Sequence, residues 1–432
     1  LTESVVRATG FNRDHKRDDV YAFGYVKRER LKALPESVMA DVVELDAKSW
    51  ARHDFDAKTL AIRPVLESDE DALRAENYHD YEALTAELQS LVAAHPGLAT
   101  LESAGRSVRG RELWVIKISD AAEAEENEPK LLYIGNMHGD ETAGRELLIY
   151  TARRLLNDYG TDPRITKLVD AAQIYIMPSM NPDGFELSQR YNAAGVDLNR
   201  DFPDFTADPT DSPSGRAPET AAVMALHQKH HFLLAINFHG GEVCFNAPWD
   251  TKSNSTDAER FGDDPVMQLL GRQYADSNPT MEANDGGSFD RGLTYGYEWY
   301  EVDGGMQDWS IYYRRSIHAT VELSYTKYPS ASQLPRIWDE NKEAMLAYLE
   351  GGIFGMHVRI VDEAGAPVTG ATVRVETLDR DVVYDTAFVH RPAMAGDQDV
   401  RVSAPGFADT TVTLAPWSFA DQGFTDVVLR RP

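Results

Sequence analysis

The sequence predicts an α/β domain, a sheet flanked by helices, followed by a small all-β module. Three features carry that prediction. Short apolar, partly β-branched runs alternate with helix-period segments between residues 78 and 349. Two of those runs end in a His-Gly pair, at His138-Gly139 and His239-Gly240. After Gly351-Gly352 the helical periods stop, and only short β-type runs separated by turns remain.

In chain order, residues 1–77 are rich in charge and mixed in pattern, reading as strand (20–26), short helix (28–34), strand (38–45) and linker (50–70). They hold no chemical constellation and read as a small accessory or covering unit. Residues 78–94 have the signs of a helix. Leu84, Leu88 and Leu91 recur at spacings of four and three, and His95-Pro96-Gly97 stops the pattern. A turn at 106–111, a strand at 113–118 and an acidic loop at 120–128 follow. Next come a strand at 131–134, a helix from 141 to about 158 and a strand at 173–177. Residues 178–204 are loop-like and dense in Asn, Asp, Pro and Gly; a loop that long in a compact domain usually serves a function. Strands at 231–238 and 319–325 and a closing helix at 337–349 complete the domain, and β runs at 356–361, 371–376, 400–403 and 424–429 form the module behind it.

Lys and Arg number 43 against 70 Asp and Glu in 432 residues, a formal charge of −27. Such a surface argues against nucleic acid or an anionic membrane as the main partner. It does not constrain a small pocket, whose local field can differ from the average. The single cysteine, Cys244, rules out an intrachain disulfide. No run of 18 apolar residues is present, so no membrane span is expected. The chain opens on Leu1 without an apolar leader, and a processed start is expected.

The chemistry is concentrated in a few stretches. In LLYIGNMHGDETAGRE, His138 and Glu141 sit where a strand hands over to a helix, the usual end of a sheet for a site. A helix-like turn there brings an imidazole and a carboxylate within reach of one ion. His239 follows 98 residues beyond Glu141, again at a strand end. A His, Glu, His set with an open fourth position is the known ligand composition of catalytic zinc sites; two unrelated strand-end histidines are the alternative. The long loop offers Arg190, Asn199 and Arg200. An Asn-Arg pair beside a metal suits a substrate's terminal carboxylate, because a guanidinium grips a carboxylate with two parallel bonds. Alternatively, both arginines pair with some of the many acidic residues. In ATVELSY, Val321 and Leu323 share one face and Glu322 takes the other; a buried Glu322 near a cation would be a competent base.

Taken together, residues 78–352 resemble a zinc metallocarboxypeptidase of the carboxypeptidase A superfamily, within it the N/E branch that includes carboxypeptidases D, M and Z. The resemblance is carried by GNMHGDETAGRELLIY, NPDGFE, GVDLNRDFPD, NFHGG, WYEVDGGMQD and TVELSY. Residues 353–432, with HVRIVDEAGAPVTGATVRVE, resemble the transthyretin-like β-sandwich that follows the catalytic domain in that branch. The resemblance implies a mixed central sheet flanked by helices, one Zn2+ per chain on His138, Glu141 and His239, and hydrolysis of the last peptide bond of peptide or protein C-termini. It makes Glu322 the general base and Arg190 the oxyanion donor, with Asn199, Arg200 and Tyr300 holding the substrate's carboxylate. Asp250, eleven residues after His239, and Gln307 stand at pocket positions that imply preference for C-terminal Arg or Lys. Asp201, where many relatives carry Asn, stands next to Arg200 and is expected to tune its field. A monomer, secreted or periplasmic, without an inhibitory propeptide, is expected of this branch. A zinc hydrolase of neutral or cell-wall-peptide specificity and a scaffold that has lost the chemistry are the rival readings.

Overall fold

A computed structural model describes residues 78–207, 210–251, 261–378, 381–416 and 423–432, with the short strands Asn12–Lys16, Ala22–Tyr25, Asp54–Phe55 and Ile62–Arg63. Ala22–Tyr25 falls inside the strand expected at 20–26; the expected helix at 28–34, the strand at 38–45 and most of the linker lie outside the described residues.

The first helix, α1 (Tyr81–Ala94), starts where the Asp80 side chain accepts the Ala83 N–H at 2.7 Å. Its Leu84, Leu88 and Leu91 are the buried stripe. Strands β1 (Ala99–Arg106) and β2 (Glu112–Ile118) then form a hairpin, followed by β3 (Lys130–Gly135), α2 (Ala143–Asn157), α3 (Pro163–Val169) and β4 (Gln173–Met177). The long loop contains α4 (Pro182–Glu186) and a 3-10 turn, Leu198–Arg200. After it come α5 (Pro218–His230), β5 (Leu234–His239), β6 (Glu242–Ala247), α6 (Asp264–Asp276) and α7 (Pro279–Glu282). Strand β7 (Leu293–Tyr295), α8 (Gly296–Trp299), α9 (Met306–Arg314), β8 (Ile317–Ser324) and α10 (Leu334–Gly351) close the domain.

These strands build one eight-stranded mixed sheet in the order β7-β6-β8-β5-β3-β4-β2-β1. Its centre, β8, β5, β3 and β4, is parallel, while β6 and β2 run antiparallel to their inner neighbours. Parallel strands covered on both faces read as unbroken apolar runs, and β3, β4 and β5 are buried nearly throughout. The pleat sends alternate residues to two cores. Leu131 and Tyr133 face α1, α2 and α10; Leu132 and Ile134 face α5 and α9.

Beyond α10 the chain forms β9 (Gly355–Asp362), β10 (Ala371–Val375), β11 (Asp381–Tyr384), β12 (Phe388–Pro392), β13 (Gln398–Ser403), β14 (Thr410–Leu414) and β15 (Thr425–Leu429). They make a three-stranded sheet, β12-β9-β15, and a four-stranded sheet, β11-β10-β13-β14. The all-β character of this region is as expected, with β11, β12 and β14 additional to the strands read from sequence. A buried ion pair, Arg391 to Asp263 at 2.6 Å, joins β12 to the start of α6.

Candidate active site

The carboxyl ends of β3, β5 and β8 lie side by side, and His138, Glu141, His239 and Glu322 stand at or just beyond them. His138 follows β3 by three residues, and His239 is the last residue of β5. Glu322 on β8 is the register partner of His239 in the parallel ladder, so both side chains leave the same face of the sheet. Glu322 is 4% exposed.

The turn carrying His138 and Glu141 is held from several directions. Asn136, with a left-handed φ of 56°, donates from Nδ2 to the carbonyls of His138 (2.9 Å) and Gly139 (3.2 Å). Its Oδ1 accepts from Ser179 at 2.8 Å. Asn181 of the NPDGFE stretch donates to Met137 O and accepts the Gly184 N–H, capping α4 against the turn. Gly139 is required by this contact: a Cβ there would overlap the backbone of Gly184 and Phe185.

His138 Nδ1, His239 Nδ1 and Glu141 Oε2 converge. The two nitrogens are 3.1 Å apart and lie 3.0 and 2.7 Å from the oxygen. All three residues are buried. Atoms bound tetrahedrally at about 2.1 Å from one ion lie roughly 3.4 Å from each other, so this donor set closes around zinc with small adjustments. His138 Nε2 contacts Asp197 Oδ1 at 3.2 Å, the carboxylate that orients a ligand imidazole and fixes its tautomer. Burial and Arg190 oppose protonation of His138, but Glu141 and Asp197 outweigh them and raise its pKa. Burial lowers that of His239 to about 4 against the pull of Glu141.

Arg190 pairs with acidic groups, as one reading of the sequence held: Nε meets Asp197 Oδ2 at 3.0 Å and Nη1 meets Glu141 Oε1 at 3.4 Å. That same Nη1 lies 3.1 Å from His138 Nδ1, so the pairing aims the guanidinium at the His, Glu, His cluster. Asp197 also accepts the Asn199 N–H at 3.0 Å, and Asn199 Oδ1 accepts the Met306 N–H at 3.1 Å. Arg200 is half-buried and donates to Asn199 O at 2.8 Å. Asp201, next to Arg200 in the chain, accepts the Ala217 N–H on Oδ2 at 2.8 Å, just before α5. Tyr300, at the end of α8, is half-buried, its ring against Trp299 at 4.7 Å.

Asp250 is 3% exposed. Its Oδ1 accepts from Asn246 (2.8 Å) and Gln307 (2.9 Å). Burial pushes its pKa up to about 6, moderated by Asn246 and by Arg200. Behind it Asp308 accepts the N–H groups of Asp250 (3.0 Å) and Thr251 (2.8 Å), fixing the loop that presents Asp250. A Cβ on Gly305 would stand 3.5 Å from Asp250 Oδ2 and 3.6 Å from Asn199 Oδ1, so this glycine separates the pocket from the anchor. Sequence reasoning missed Asn136, Asn181, Asp197, Asn246 and Asp308. Asn136, Asp197, Asn246 and Asp308 each stand within four residues of a residue that was singled out, and Asn181 opens the NPDGFE stretch; that was the available signal.

Fold and site together define a mixed α/β scaffold carrying a buried His, Glu, His donor set that fits a zinc ion at the ends of its parallel strands. Residues 84–344 match the family model described as zinc carboxypeptidase. The chain belongs to the zinc carboxypeptidase family. It is 37% identical over 317 residues to carboxypeptidase M of Mus musculus, covering 69% of this chain and 71% of that one. With carboxypeptidase D of Anas platyrhynchos the identity is 36% over 359 residues, covering 78% of this chain; the chain spans about a quarter (26%) of that relative's length. With the carboxypeptidase N catalytic chain of Mus musculus it is 33% over 377 residues, 78% of this chain and 82% of that one. A solved carboxypeptidase A from Helicoverpa armigera superposes with a TM-score of 0.55 at 19% identity, over 66% of this chain and 78% of that one, a likeness of fold.

Proposed function

We propose that the chain is a metallocarboxypeptidase that releases the last residue of peptide and protein C-termini, with preference for Arg or Lys. The observation that supports this best is a short run of contacts. Asp197 touches both His138 and Asn199, and Gly305 lies between Asn199 and the buried Asp250. A terminal residue lying along that run has its carboxylate at residues 199–200 and its side chain toward Asp250.

His138, Glu141 and His239 would hold zinc, which when bound would supply an acidified water and polarise a carbonyl. In this reading the Glu322 carboxylate takes the water's proton and passes it to the leaving amine. Arg190 donates from Nη1 to the oxygen on which negative charge develops. Arg200, with Asn199 and Tyr300, grips the free carboxylate, which sets the register so that only the last bond reaches the centre. Asn246 and Gln307 occupy Oδ1 of Asp250, and its charge meets an incoming ammonium or guanidinium. The relatives named carboxypeptidase M and N support the carboxypeptidase part of this reading. The proposal extends to the organisation of the chain: an accessory segment at 1–77, a catalytic domain at 78–352 and a transthyretin-like sandwich at 353–432, acting as a secreted monomer.

A release panel tests it, with peptides ending in Arg, Lys, Phe, Leu or Glu and a chelated control. Arg and Lys are expected to leave at least about ten-fold faster than Leu, the worth of one charge-assisted bond, and the chelator to stop all release. Equal release of Phe or Leu would remove Asp250 from the specificity role. No release from any peptide with zinc supplied would sink the carboxypeptidase reading itself.

A further inference from the structure

We propose that His318 is a positioning residue, the node of one buried line of hydrogen bonds that ties the pocket at Asp250 to the strands carrying His239 and Glu322. It deepens the functional reading above and rests on it. The period of two along β8 puts His318, Thr320 and Glu322 on one face of the sheet. Thr320 and Glu322 are in turn the register partners of Asn237 and His239 on β5. Asn237, Thr320 and His318 thus form a polar strip that leads away from the site along two neighbouring strands. Their exposures, and those of Gln307 and Ser310 on α9, run from 0 to 6%.

The contacts along the line fix one another's direction. Thr320 and Asn237 pair side by side, with Oγ1 at 3.1 Å from Nδ2 and 3.2 Å from Oδ1. Asn237 Nδ2 stands 3.1 Å from His318 Nε2. On the other side of the ring, His318 Nδ1 stands 2.6 Å from Ser310 Oγ, which donates to Gln307 O at 3.0 Å. A hydroxyl has one proton; with that of Ser310 on the Gln307 carbonyl, its oxygen can only accept from His318. Nδ1 therefore carries the imidazole proton, and Nε2 accepts from the Asn237 amide. Burial keeps the ring neutral, pushing its pKa down to about 3. A protonated ring would set its Nε2–H against the Asn237 N–H.

Helix α9 supports both binding features of the site. Gln307 Nε2 donates to Asp250 Oδ1 at 2.9 Å, and the Met306 N–H donates to Asn199 Oδ1 at 3.1 Å. Strands β5 and β8 carry the other half, His239 and Glu322. A residue seated against α9 meets Glu322 correctly only if helix and strands keep their relative placement, and an error of about 1 Å costs roughly 10²-fold in rate. His318 is the side chain that bonds to both halves, through Ser310 and through Asn237. An apolar residue there would fill the space and leave both partners without it.

The test cuts the line on each side separately. An Asn at 318 places its amide where Nδ1 stood, and a Gln places its amide where Nε2 stood. Turnover and KM are measured on zinc-loaded protein with peptides ending in Arg and in Leu. His318→Leu is expected to lower the Arg-over-Leu ratio of kcat/KM by about ten-fold, and kcat by at least as much. His318→Asn, which keeps the Ser310 bond, is expected to hold the ratio and lose kcat; His318→Gln, which keeps the Asn237 bond, to hold kcat and lose the ratio. A wild-type ratio and kcat in His318→Leu would overturn the inference. So would equal losses of ratio and kcat in the Asn and Gln variants, which is what a merely loosened fold produces. If His318→Leu does not fold, Ser310→Ala takes its place, with the ratio expected to fall more than kcat and equal falls overturning the inference. Nitrogen NMR of the histidine-labelled wild type reads the line without activity: the Nδ1–H tautomer is expected at His318, and Nε2–H would overturn the inference. Release of no residue by the wild type would overturn the functional reading instead, and the tautomer would still decide the line.

Discussion

Glu322 and Asp250 are both buried carboxylates, yet their neighbours suit them to different tasks. Glu322 lies beside His239 in the ladder, whereas Asp250 is clamped by two amides and a second carboxylate. Glu322→Gln is expected to keep its zinc and lose roughly 10²–10⁴-fold in turnover, the usual contribution of a general base. Turnover near wild type with full zinc content would take Glu322 out of that role. For Asp250 the pH dependence has a definite sign. Burial holds its pKa at about 6, so its charge is present above that pH and lost below it. The ratio of kcat/KM for Arg-ended over Leu-ended peptides is therefore expected to fall as pH drops through 6. In Asp250→Asn the ratio should be low and flat with pH. A wild-type ratio that rises on acidification contradicts this.

At the scale of elements, the turn between β3 and α2 governs the site. Asn136, Asn181 and the absent side chain of Gly139 lock it against α4. Gly139→Ala forces a methyl into the backbone of α4, which overpacking puts at about 1–3 kcal/mol of stability. Because His138 and Glu141 flank that glycine, zinc affinity is expected to fall by at least about ten-fold as well. A variant with normal zinc affinity and an unchanged unfolding midpoint would show that the turn is softer than its contacts imply. Helix α1, β4 and α10 were legible in the sequence because each keeps a clear period or an unbroken apolar run. Strand β1 was not. Its half-exposed residues, ATLESAGR, have a weak alternation, and its strand conformation depends on pairing with β2. Helices α3 and α5 were also missed: α3 is short, and α5 buries polar residues such as Glu219 and His227 that blur the stripe.

For the whole molecule, the question is how the C-terminal sheets join the large domain. Arg391 and Asp263 form an ion pair in which both side chains are almost wholly buried, backed by a contact of His390 with Asn127 O at 3.1 Å. Removing one partner of such a pair strands the other charge and costs about 3–5 kcal/mol. Arg391→Ala is thus expected to lower unfolding free energy in urea by that amount and to uncouple the two regions, with separate transitions by different probes. A single unshifted transition would argue that the apolar contacts alone hold them. Zinc should add stability by mass action, about 4 kcal/mol at a thousand times its Kd, so chelation should lower Tm.

The sequence by itself determined the layered α/β class, the all-β end and the set His138, Glu141 and His239 that the fold brings together. Periodicity, strand-end histidines and a polar loop are local signals, written within a few residues of one another. Tertiary structure alone decided which atoms meet: that β8 runs beside β5 so that Glu322 adjoins His239, that Asp201 accepts the Ala217 N–H before α5, and that Lys327 reaches Glu141. Those outcomes depend on sheet order and register, which bring together residues far apart in the chain and so leave no trace in any short window of it.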